Sequence, residues 1–220
     1  MTIDEIYRFV KFMANKENRG WLKPSEFNML AKRAQLDLIK DRVGNPSPDG
    51  IANGYKHNQQ LTDELRTVID TSSLAVSSGN FTIPTDYLFF LNLKFNNSDV
   101  EVVTASELNK RRKSHLNAPT QDFPIAIINS NGINIYTGNG SNETTGNCIL
   151  TYVKKPADPK WSFTLVSNVE VYNSSNAVNL TLPESTHKEI SHRILSYLGV
   201  NIREATVVEY GTTTVLEQSQ

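Results

Sequence analysis

Apolar residues in this chain keep two different periods, and the change between them sets the fold class. Ile3, Ile6, Tyr7, Val10 and Met13 recur at helical spacing. So do Phe27, Leu30, Ala31, Ala34, Leu38 and Ile39, and, far along the chain, Ile190, Ile194, Leu195, Leu198 and Ile202. From Ser72 to Leu182 the period drops to two, in runs such as Asn80-Phe81-Thr82-Ile83, Tyr87 to Phe95, Ile133-Asn134-Ile135-Tyr136 and Cys148 to Val153. Helices bracketing a strand-rich middle predict an α+β fold. Its expected form is an N-terminal helical hairpin, a third helix and a C-terminal helix, packed with an inserted antiparallel β-sandwich or partly open barrel.

Local signals place the boundaries. Thr2 and Glu5 form a capping box ahead of the first helix. Pro24 suits the first position of the second helix, which ends at Gly44. The short link makes these two helices antiparallel neighbours. After the breaker-rich Asn45-Pro46-Ser47-Pro48-Asp49-Gly50, a third helix is expected around Leu61, Leu65, Val68 and Ile69. Thr104 and Glu107 cap a short helix that ends near Leu116. Asn131-Gly132 turns a hairpin, and a further hairpin joins Val169 to Tyr172 with Val178 to Leu182 across Asn173-Ser174-Ser175-Asn176. The expected organisation is a helical lobe over 1–71 and a β-rich lobe over 72–183, with its short helix near 105–116. A helix over 184–204 packs on the helical lobe, and a tail follows over 205–220.

The 220 residues carry a formal net charge of −1 and 20% charged residues. A global field that attracts nucleic acid or anionic lipid is thereby excluded, and any contact with DNA is local. One cysteine, Cys148, cannot form an internal disulfide. No stretch approaches the ~20 apolar residues of a membrane span, and the opening Met1-Thr2-Ile3-Asp4-Glu5 lacks the apolar core of a secretory signal. The expectation is a soluble chain made in the cytoplasm and having no membrane partner.

Candidate chemistry is sparse. Asn15 to Glu26 matches part of a calcium loop, with glycine at position six and glutamate at position twelve. Arg19 falls at a ligand position and Pro24 belongs to the next helix, so no metal is expected there. Lys110-Arg111-Arg112-Lys113 is the dense basic run, read as a solvated face at a helix C-terminus, as an inter-subunit contact through Arg111 and Arg112, or as a direct contact with nucleic-acid phosphates. His187 and His192 stand five apart, off the shared face that a spacing of four would give. Cys148 alternates with Leu150 and Tyr152 as a small hydrophobe. No nucleophile elbow or phosphate-cradling glycine loop is present, so no catalytic residue and no cofactor is expected.

The positions left over point to assembly. Phe9 and Phe12 lie off the buried stripe of the first helix. Thr206-Val207-Val208-Glu209-Tyr210 alternates like a short strand beyond the last helix, and Val215 and Leu216 follow it. Phe9, Phe12, Arg111, Arg112, Val207, Tyr210, Val215 and Leu216 are therefore the candidate subunit-interface residues.

Several pieces, taken in order, carry a resemblance. Ile3-Asp4-Glu5-Ile6-Tyr7, Gly20-Trp21-Leu22-Lys23-Pro24-Ser25-Glu26-Phe27-Asn28 and Ala34-Gln35-Leu36-Asp37-Leu38 open the series. Ile83-Pro84-Thr85-Asp86-Tyr87, Tyr152-Val153-Lys154-Lys155-Pro156 with Trp161, and Leu182-Pro183-Glu184-Ser185 with Leu198 to Arg203 continue it. This series resembles the head-to-tail connector and ring proteins of podovirus-type phages, above all those of crAss-like phages, and more broadly tail tubular or adaptor proteins. The resemblance implies a non-enzymatic virion protein. It implies a homo-oligomeric ring, usually dodecameric, at the portal vertex, with the portal protein and adjacent ring or tail proteins as partners and transient contact with passing genomic DNA. An alternative from the residues alone is a stand-alone β-sandwich that recognises a glycan or protein through the polar loop Gly138 to Gly146.

Overall fold

The computed structural model describes residues 1–17, 22–44, 63–76, 78–114, 116–138 and 146–202. The fold is α+β. Its helices are α1 (Ile3–Glu17), α2 (Pro24–Val43), α3 (Ala105–Arg112) and α4 (His187–Ile202). The chain divides into two compact units, one of residues 1–68 with 156 onward and one of Ile69–Lys155.

In the helical unit the first cap is reciprocal. Thr2 N–H donates to Glu5 Oε2 at 2.9 Å and Glu5 N–H donates to Thr2 Oγ1 at 3.3 Å. Pro24 opens α2, and Glu26 turns back to accept the Lys23 N–H at 3.2 Å. The predicted stripe Phe27, Ala31, Ala34, Leu38 and Ile39 is buried, joined by Gln35. A buried amide needs partners. Gln35 has them in Thr181 N–H, 3.0 Å from its oxygen, and Ala157 O, 3.2 Å from its nitrogen. α4 packs against both α1 and α2. Ile190, Ile194, Leu195 and Leu198 supply its buried face.

The other unit holds two sheets. One orders β1 (Ile69–Val76), β8 (Gly146–Lys154), β3 (Tyr87–Phe95) and β4 (Ser98–Asp99). The second orders β2 (Asn80–Phe81), β7 (Gly132–Tyr136), β6 (Ile125–Asn129) and β5 (Glu101–Val102). Their apolar faces share one core, in which Leu93, Phe95, Cys148 and Leu150 of the first sheet meet Phe81, Ala126, Ile133 and Ile135 of the second. Among the described residues no barrel closes. The expected antiparallel order fails at one pair, since β5 runs parallel to β6. The crossover through α3 permits this, because it carries the chain back before β6 begins.

Three further expectations change. Ile69 belongs to β1, paired with Val153, so the strand region begins before Ser72 and the expected third helix is described only as a helical turn over 63–65. The short helix ends at Arg112 rather than near Leu116. The hairpin expected between Val169–Tyr172 and Val178–Leu182 does not form. Val169–Tyr172 is β10, and it pairs with β9 (Phe163–Val166), while residues 174–176 make a short 3-10 turn and Val178 keeps a single bridge to Lys160. Residues 156–183 accordingly sit with the helical unit and not with the β-rich one.

Candidate assembly surface

Trp161 anchors the hairpin β9–β10. Its indole N–H donates to Asp4 Oδ1 at 2.9 Å, and its backbone N–H donates to Asn28 Oδ1 at 2.7 Å. One residue is thus tied to both α1 and α2. Around the indole stand the rings of Tyr7 at 4.3 Å, Tyr172 at 5.8 Å and Phe163 at 5.9 Å between centroids. Such aromatic contacts add to plain area burial. Tyr7 Oη also donates to Leu22 O at 3.1 Å, and burial, then the Glu170 charge, raises its phenol above the ordinary value.

Beyond this anchor the hairpin runs out into solvent. Ser167 and Asn168 close it with φ of 49° and 64°, the left-handed pair that a tight two-residue turn requires. Register puts Phe163, Leu165, Glu170 and Tyr172 on one face and Thr164, Val166, Val169 and Val171 on the other. Leu165, Val166 and Val169 are 66%, 56% and 62% exposed. A two-stranded ribbon is marginal on its own, and this one exposes apolar side chains on both faces. Between β10 and α1 lies a groove lined by Asp4, Tyr7, Arg8 and Lys11 on the helix side and by the whole of β10 on the other. Arg8 pairs with Asp4 at 2.9 Å, and the Lys11 ammonium lies 5.9 Å over the Tyr7 ring.

The sequence-predicted residues distribute as follows. Phe9 is half-buried and meets the His192 ring of α4 edge-on at 6.3 Å, so a segment of its own chain packs on it. Phe12 is 64% exposed. Arg111 grips Glu101 at 2.8 Å and also Glu107, a bonded state in which these carboxylates raise its already high pKa. Arg112 lies 5.7 Å over the Tyr136 ring. Val207, Tyr210, Val215 and Leu216 lie outside the described residues, as do 139–145 of the polar loop and 18–21 of the calcium-like loop.

His187 Nε2 stands 3.0 Å from Leu182 O, and burial pushes the Cys148 thiol up to about 12. Among the described residues no three His, Cys, Asp or Glu side chains converge on a metal position, and no helix is long and apolar enough to cross a membrane. Sequence reasoning missed β9. Its signal was the Ser167-Asn168 pair between Phe163-Thr164-Leu165-Val166 and Val169-Glu170-Val171-Tyr172.

No protein-family model matches this chain, and no curated protein is significantly similar to it.

Proposed function

We propose that this chain is a structural virion protein that assembles as a ring in the head-to-tail connector of a podovirus-type phage, joining the portal to the tail and lining the DNA passage. The observation that carries the reading is the hairpin β9–β10, held at its base by Trp161 and apolar on both faces. A closed ring of identical subunits needs two different complementary patches on each copy, and an anchored apolar ribbon fits the role of one. The weak net charge of −1 suits a conduit, because tight phosphate binding would hold the genome that must slide through. The order of motifs shared with crAss-like ring proteins supplies the choice of assembly. On this reading the ring is dodecameric, it has no catalytic residue and no cofactor, and its partners are the portal protein and the next ring or tail protein.

Reconstruction of particles that contain the chain is the test. Density for it at the portal vertex with cyclic symmetry is expected. Density in the capsid lattice, or a free monomer that binds a host glycan, overturns the reading and returns the chain to the class of stand-alone binding modules.

A further inference from the structure

We propose that the open edge of β10 receives residues 206–210 of a neighbouring copy as an added strand, an inference that rests on the ring reading above and names its second patch. Backbone geometry defines the acceptor. Asn173 N–H donates to Ser162 O at 2.8 Å, and alternation along an antiparallel pair then commits Val171 and Val169 to β9. Glu170 and Tyr172 direct their N–H and C=O groups the other way, off the open edge. Among the described residues no strand pairs with that edge. An unpaired edge is a template for a further strand, with backbone bonds giving affinity and alternate side chains giving specificity.

Residues 206–210 match this acceptor in their side-chain pattern. A strand that extends a ribbon apolar on both faces must itself be apolar on both faces, and the consecutive Val207 and Val208 present one valine to each. Tyr210 falls on the side of Val208, where both continue the outer stripe of Val166, Val169 and Val171. Val207 and Glu209 then face the groove. Charge does not choose the orientation, because Asp4 and Glu170 line the groove beside Arg8 and Lys11. The link from Ile202 to Thr206 spans up to about 14 Å when extended, which places the acceptor close to the end of the donor's last helix.

Two full-length variants test the proposal by mixing. Val169→Asp with Val171→Asp damages the acceptor and leaves the tail intact; Val208→Asp with Tyr210→Ser damages the tail and leaves the acceptor intact. The acceptor substitutions fall on exposed side chains, and circular dichroism checks that both proteins stay folded. Each variant alone is expected to lose self-association in sedimentation by about tenfold or more in apparent affinity. An equimolar mixture is expected to give a one-to-one heterodimer that grows no further, because only one good interface can form. Two monomeric variants that ignore each other mean that the tail docks in cis or elsewhere, and the proposal falls. Unchanged self-association of either variant also overturns it. Such failures leave the ring reading standing if particles still show the chain at the portal vertex.

Discussion

Arg42 donates to Glu189 at 2.7 Å across 147 positions of sequence, joining the last turn of α2 to the first turn of α4. Glu189 also accepts from Arg193 at 2.8 Å, Arg42 reaches Glu64 at 2.8 Å, and Arg193 reaches Asp41 at 2.7 Å. Glu189 is buried, so its charge is tolerated only because two guanidinium groups face it. Removing it takes the shared partner from both guanidinium groups and leaves Arg42 to Glu64 and Arg193 to Asp41. Glu189→Ala is expected to destabilise the protein by about 1.5–3 kcal/mol. Urea denaturation followed by circular dichroism reads this directly, and a loss under ~1 kcal/mol, typical of an exposed pair, would contradict it.

Cys148 is fully buried between the two sheets, and burial holds its thiol near 12. Only the thiolate reacts at an appreciable rate. At pH 8 the native protein should therefore leave an aromatic disulfide reagent unreacted while the denatured chain consumes one equivalent. Rapid labelling of the native protein would mean that the sandwich opens without unfolding.

Tyr152 donates its hydroxyl to Asp86 at 3.0 Å, and burial, followed by that bond and the charges of Asp86 and Asp70, pushes the phenol up to about 12. The unfolded value lies near ~10. A proton held more tightly by the folded state stabilises it fully below the unfolded pKa, and the contribution disappears as pH rises through the folded one. Stability should fall between about pH 10 and 12, and Tyr152→Phe should flatten that step while costing about 1 kcal/mol at neutral pH. Denaturation curves across the alkaline range provide the check.

How far the sequence could be read depends on where each signal resides. Helix periods and the Thr2–Glu5 cap are local, so Ile3, Ile6, Val10, Phe27, Leu38 and Ile190 lie buried as spacing predicts. Pairing is not local. Val169–Tyr172 took Phe163–Val166 as its partner because two residues with left-handed φ, Ser167 and Asn168, make the shorter turn, whereas Asn173 to Asn176 had looked the more turn-prone. Phe163-Thr164-Leu165-Val166 shows no polar alternation because it is exposed on both sides, so periodicity could not find it. Arg111 likewise read as an available cation, and only the fold places Glu101 beside it.

Two glycines with positive φ separate backbone strain from steric collision. Gly44 ends α2 with φ of 103° and has open space where a Cβ would stand. Gly132 opens β7 with φ of 134°, and there an added Cβ would collide with the Phe81 carbonyl and stand 2.6 Å from Asn80 Oδ1. Replacement of Gly44 by alanine pays for conformation alone, about 1–3 kcal/mol. At Gly132 the same strain is joined by a clash with backbone of the neighbouring strand β2, which pairs Phe81 with Ile133 and cannot swing aside without breaking that ladder. Gly132→Ala is expected to lose at least twice the stability that Gly44→Ala loses, measured as the shift in urea midpoint at constant slope. Equal shifts would mean that β2 moves freely and that the edge of the second sheet is not fixed by its pairing with β7.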